Sequence, residues 1–270
     1  IDDEAPTAAG SAPALVSRAT TIRIVSASFT PASGSAIPIL GLSQVTWRGQ
    51  GMVNQDVGTP GSGFVDAVDV LGWRLSGSLT VSDNLTAGAD VTASQNVSVQ
   101  DANVTGALSA TAGNVTGNGV SAGSVSAGGS VGVGSVNAGS VSAGTSVGVA
   151  GTANVTGNVG AGTSVSVGGG TTVGGTVTAG TTVNLSGPAD VNGDVSGGGA
   201  VTFGNAANVG GNVSGVGVTF QGAAIFDGAG NQSAEAGTGG LVAHNTVTKT
   251  TAGNLTLGGD AGVNVTGNLG

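Results

Sequence analysis

VGV-AGTANVTGNVGAGTS-VSV-GGGTTVGGTVTAGTT-VNL-SGPADVNGDVSGGGA-VTF, residues 147–203, decides the fold. Four apolar pairs of the form apolar–any–apolar recur in it at one constant interval: Val147/Val149, Val165/Val167, Val183/Leu185 and Val201/Phe203. Residues two apart on a strand point the same way, so each pair reads as one inward-facing strand side. Between the pairs lie mostly Gly, Ser, Thr, Asn, Asp and Ala, which suit corners and solvated faces. Single valines recur at fixed offsets inside the intervals: Val155 and Val159, Val173 and Val177, Val191 and Val195. A fixed period this short, without helical spacing, is the signature of a stacked-coil protein.

The pattern extends outward from this stretch. Leu79/Val81 and Val97/Val99 precede it, Val115 fills one slot with Gly117 in place of a second apolar residue, and Val131/Val133 follows. Val218/Phe220 closes the regular stretch at 79–220, and Leu255/Leu257 and Val263/Val265 resume the motif in 254–270. Near the start, Leu79, Leu85, Val91 and Val97 step by six, one apolar residue per coil side. The expected fold class is therefore all-β: a triangular single-chain β-solenoid of about 18 residues per coil. Its eight steps over 79–220 predict a rod of about 38 Å at the usual inter-strand spacing. Asn154, Asn184, Asn208 and Asn212 occupy positions where stacked side-chain ladders are expected.

The flanks read differently. Residues 1–20 form an acidic, Pro/Ala-rich extended arm, with Ala14, Leu15 and Val16 as the residues able to dock on a neighbouring subunit. Residues 21–78 hold both tryptophans and lack the period; alternation at Thr21–Phe29 and Ser43–Trp47 predicts a small β-domain that caps the rod. Residues 221–253 break the register and are expected as an irregular insertion pushed out from one corner. The sequence begins at Ile1 rather than Met, which reads as a processed or partial chain.

Composition narrows the function classes. The chain has 55 Gly and 6 Pro in 270 residues without a G-X-Y register, which excludes collagen. Disorder is opposed by the valine register and the positive mean hydropathy. Net charge is −9, and the five bases are Arg18, Arg23, Arg48, Arg74 and Lys249, so there is no basic stripe for nucleic acid. No apolar run is long enough to predict a membrane-spanning helix. Cys is absent, so no disulfide framework exists.

Candidate chemistry is sparse. Asp190 and Asp194, with Asp83, Asp90 and Asp101, are candidate calcium ligands, but the Gly-Gly-x-Gly-x-Asp nonapeptide and the EF-hand loop are both missing, so they read as corner residues. His244 stands without Cys or a close carboxylate, Glu235 being nine residues away, and reads as structural or exposed. Ten N-x-[ST] sequons, Asn84 to Asn264, arise from the repeat itself and become glycan sites only with suitable machinery. No catalytic residue, metal or cofactor is expected.

GSLTVSDNLTAGADVTA, VTGNVGAGTSVSVGG and AGNLTLGGDAGVNVTGNLG resemble the shafts of bacteriophage tail fibres and of β-solenoid bacterial surface adhesins, over about 75–220 and 250–270. They also resemble the triangular coils of bactofilins, and the six-residue steps at 79–97 those of hexapeptide-repeat coils; the acyltransferase histidine of the latter has no counterpart in the regular stretch, since His244 lies outside it. The resemblance implies a non-enzymatic structural protein, an extracellular or cell-surface filament or fibre subunit, with a virion location as the alternative. Expected partners are further copies of the chain, as homo-oligomer or homopolymer, and host-surface glycans; no nucleic acid and no membrane span are expected. The rival readings are a trimeric tail-fibre shaft, a carbohydrate-active β-helix, and an ice- or surface-binding module with a flat face of Thr171, Thr172, Thr176, Thr178, Thr181 and Thr182.

Overall fold

The computed structural model describes residues 78–270 apart from residue 89, and, before them, the strands Ile22–Ile24, Val45–Val53 and Ala67–Leu75. Every described strand belongs to one parallel ladder, and no described residue is helical. The chain winds as a β-solenoid of about ten turns, which gives a rod of roughly 48 Å along its axis.

Each coil has three short sides, because three apolar–any–apolar triplets alternate with three small-residue corners. In the coil that starts at Ser164 the sides are Ser164–Val167, Thr171–Val173 and Val177–Ala179. Each lies in register on the equivalent side of the coils before and after. On the first face Val147, Val165, Val183 and Val201 stack in one column and Val149, Val167, Leu185 and Phe203 in the next. All eight are at most 3% exposed. On the second face Ala153, Thr171, Ala189 and Ala207 form one inward column and Val155, Val173, Val191 and Val209 the other. The third face stacks Val159, Val177 and Val195 beside Ala161, Ala179 and Gly197. The lone valines of the sequence are thus halves of complete inward pairs whose other half is Ala, Thr or Gly.

Coil length varies without loss of register. Val115, Val131 and Val147 pair directly although they stand closer together in the sequence than Val147, Val165 and Val183 do. The shortening comes from two corners: positions 134–135 and 139–140 do the work that 150–152 and 156–158 do one coil later. Residues 221–253, expected as an irregular insertion, continue the same ladder: Ala224–Phe226 pairs with Ala207–Val209 below and Val247–Lys249 above, and Leu241 sits over Val218. What is irregular there is arc length. The windings from Val218 to Leu241 and from Leu241 to Val263 each take more chain than any coil of 79–220, the first with the excess in two corners and the second with it in one. The period is hidden in the sequence because Ala234 and Ala243 face inward over Val213 and Phe220, and because the corners between the sides lengthen. Phe226 and the stacked rings of Phe203 and Phe220, with centroids 5.1 Å apart, refill the column beside these alanines.

The small N-terminal β-domain expected at 21–78 falls largely outside the described residues. The backbone described there is parallel: Ile22–Ile24 pairs with Val45–Trp47, and Val45–Val53 with Val68–Leu75, with one register shift between Trp47 and Gln50. Strand Ala67–Leu75 pairs onward with the second and third faces of the next coil. Ala14, Leu15 and Val16 of the arm also lie outside the described residues.

Candidate functional surface

The lateral surface of the rod is built by two repeating devices at the corners and one outward residue per side. The first device is a glycine column at each corner. Gly151, Gly169 and Gly187 succeed one another between the first and second faces, Gly157, Gly175 and Gly193 between the second and third, and Gly144, Gly162 and Gly180 between the third and first. A Cβ on any of these would run into the backbone of the coil below. Their backbone angles are ordinary: among the described residues only Gly230, Gly240, Gly253 and Gly262 have positive φ. Corner glycine is demanded here by close stacking. The same corners carry axial hydrogen bonds, such as Gly169 N–H to Gly151 C=O at 2.9 Å and Gly175 N–H to Gly157 C=O at 3.0 Å.

The second device is a side-chain acceptor that receives the backbone N–H of the next coil. Asn96 Oδ1 accepts from Asn114 N at 2.9 Å, and Asn114 Oδ1 from Ser130 N at 2.7 Å. At another corner Asn158 Oδ1 accepts from Thr176 N, Asp194 Oδ1 from Asn212 N at 2.6 Å, and Asn212 Oδ1 from Ser233 N. Threonines act in the reverse sense: Thr163 donates its hydroxyl to Thr145 C=O and Thr181 to Thr163 C=O. These amides and carboxylates supply the acceptors that unpaired corner N–H groups require.

The wide corners above Phe226 use other means. Gln232 is buried and donates Nε2 to Val209 C=O at 2.9 Å, beside the Asp227 N–H that also bonds there, and to Gly211 C=O at 2.8 Å, where it takes the place of a backbone donor. One coil higher, Lys249 donates Nζ to Gly228 C=O at 2.6 Å. Neither residue is legible as structural in the sequence: Gln232 stands in the corner column of Gly193 and Gly211, and Lys249 in the inward column of Val209 and Phe226.

The candidate chemistry of the sequence is dispersed. Asp190 projects from the second face and Asp194 from a corner, where it is engaged by Asn212. No three His, Cys, Asp or Glu side chains of the described residues come together in a way that could hold a metal ion. His244 is exposed, and its backbone N–H continues the ladder to Phe220 C=O. The threonine-rich run does not form one flat face. Thr171 points into the core, Thr172 and Thr178 outward from different faces, and Thr176 and Thr181 stand at corners. Of the asparagines expected as ladders, Asn154 Nδ2 donates to Asn137 Oδ1 at 3.3 Å and Asn212 joins Asp194, while Asn184 accepts from Ser186 of its own coil.

A shallow groove runs across four coils of the second face. Its polar wall is the outward column Asn154, Thr172, Asp190 and Asn208, and its other side is the corner with Gly170, Pro188 and Ala206. Among the described residues no helix is long and apolar enough to cross a membrane. Comparisons with family models, curated proteins and solved structures gave no match, so the functional reading rests on the rod itself.

Proposed function

We propose that the chain is a non-enzymatic structural protein, a subunit of an extracellular or cell-surface filament that assembles by end-to-end and arm-mediated contacts. The observation that carries this reading is the core: one continuous, almost wholly apolar column, closed laterally by three faces of a single chain. Such a column can lengthen only along its axis, by adding another coil. Val263 and Leu269 stand in the inward columns over Leu241 and Val247, positions that a further coil, of this chain or of another copy, would cover. An exposed parallel edge of this kind is a template for strand pairing, and head-to-tail contacts between unlike ends grow into open filaments. The arm at 1–20, with Ala14, Leu15 and Val16, supplies a segment able to reach a neighbour. The self-contained core favours this over a shaft in which three chains share one interior.

The test is negative-stain microscopy and sedimentation of the full chain beside a chain lacking residues 1–20. The expected result is filaments for the full chain, and short rods of unchanged circular dichroism for the truncated one. Uniform trimers would favour the tail-fibre reading, and equal polymerisation of both chains would remove the arm from the mechanism.

A further inference from the structure

Three features of the groove on the second face together bear on what it can hold. First, its polar groups are unspent. The corner amides and carboxylates bond to the next coil, but the side chains of Thr172, Asp190 and Asn208 make no hydrogen bond to another described residue. They project from successive coils, so donors and acceptors repeat along the axis at roughly the inter-strand spacing of 4.8 Å. Second, the opposite side is small and mostly apolar: Pro188 and Ala206 are exposed there, next to Gly170, with Thr152 at the end of the row. Third, Gly170 is not required by stacking. A Cβ on Gly168 or Gly169 would meet the backbone of the coil below, whereas at Gly170 the nearest atom is Pro188 O at 4.0 Å. The absent side chain there opens the groove and does nothing for the coil.

An apolar floor beside a regularly spaced polar wall fits a ligand with apolar faces and hydroxylated edges. A pyranose ring has this character, and in a polysaccharide it recurs at about the length of one coil step. The only charge in the groove is the Asp190 carboxylate, a strong acceptor for neighbouring hydroxyls and a repellent to anions. The chain as a whole carries −9. We propose that this groove binds a neutral polysaccharide laid along the rod axis, with Thr172, Asp190 and Asn208 hydrogen-bonding its hydroxyls and Pro188 and Ala206 under a ring face. The site rests on coil geometry and stands whether or not the rod polymerises.

The experiment uses the full chain in affinity electrophoresis and calorimetry with dextran, laminarin, mannan and xylan, and with alginate as the anionic comparison. Gly170→Gln fills the groove from a position open to a side chain. Gly160→Gln places the same side chain on the third face, where a Cβ also meets nothing within 4 Å. Circular dichroism establishes that both variants keep the fold. The expected result is binding of at least one neutral polymer, little changed by salt. Gly170→Gln weakens that binding about tenfold or more, equivalent to about 1.4 kcal/mol, and Gly160→Gln leaves it unchanged. The proposal is overturned if no neutral polymer is retarded, if alginate binds as tightly, or if both variants behave alike. It is equally overturned if Gly170→Gln alters sedimentation in the absence of polysaccharide, which would make the groove a contact between copies.

Discussion

Thr171 is the one inward column position on the three faces between Val147 and Phe220 filled by a hydroxyl, and it offers a sharp test of the core. It is 4% exposed and Oγ1 has no partner. Its neighbours in the column are Ala153 and Ala189. The narrow gap beside it is lined otherwise by valine, alanine and leucine, so a water placed there would find no second polar group to hold it. An unsatisfied buried hydroxyl costs about 1–3 kcal/mol. Thr171→Val keeps the shape and removes that cost, so the variant should gain about 1–2 kcal/mol. At about 2–4 °C per kcal/mol for a domain of this size, Tm should rise by about 3–6 °C. Thr171→Ser, which keeps the hydroxyl and loses the methyl, should fall below the parent by about 1 kcal/mol. Thermal and denaturant unfolding of the series give the values. If Thr171→Val melts at or below the parent, the hydroxyl has a partner and this account of the column is wrong.

Val183, 1% exposed between Val165 and Val201, should tolerate no charge; Val183→Asp should cost several kcal/mol in denaturant titration, and a parental midpoint would refute the inward register. Gly180→Ala pushes a Cβ into the Gly162 carbonyl and should cost about 1–3 kcal/mol, while Gly160→Ala, facing open space, should be neutral or slightly stabilising by the same measurement. Asp194→Ala removes the acceptor of Asn212 N–H and should cost about 1 kcal/mol, with local amide exchange at Asn212 accelerated; Asp194→Asn should restore protection.

The apolar ruler made the first face legible in the sequence, because Val147, Val165, Val183 and Val201 are large, branched and regularly spaced. The other two faces were half-hidden. Ala153, Ala179 and Ala189 are as buried as the valines two residues away, but alanine is equally at home at a corner, so its inward role carries no sequence signal without the register of the coils around it. The glycine columns were hidden for a related reason. Gly162 and Gly170 look alike in the sequence, yet one is excluded from bearing a side chain by a carbonyl one coil away and the other is not. Such distinctions depend on contacts a full winding distant along the chain. The threonine run 171–182 misled in the opposite direction: neighbours along the chain turn two corners and end on different sides. The groove was invisible, since Asn154, Thr172, Asp190 and Asn208 become neighbours only by stacking.

The short winding from Val131 to Val147, the regular one from Val147 to Val165 and the long one from Val218 to Leu241 each add a single rung in the same register. Height along the axis therefore counts windings and is indifferent to how much chain each winding consumes. Residues inserted at a corner would change the girth and decoration of the rod at one level and leave the altitude of every other level where it was. Only the gain or loss of a whole winding would alter its reach. Lateral features can thus be revised one at a time, on a scaffold whose spacing between distant points stays fixed.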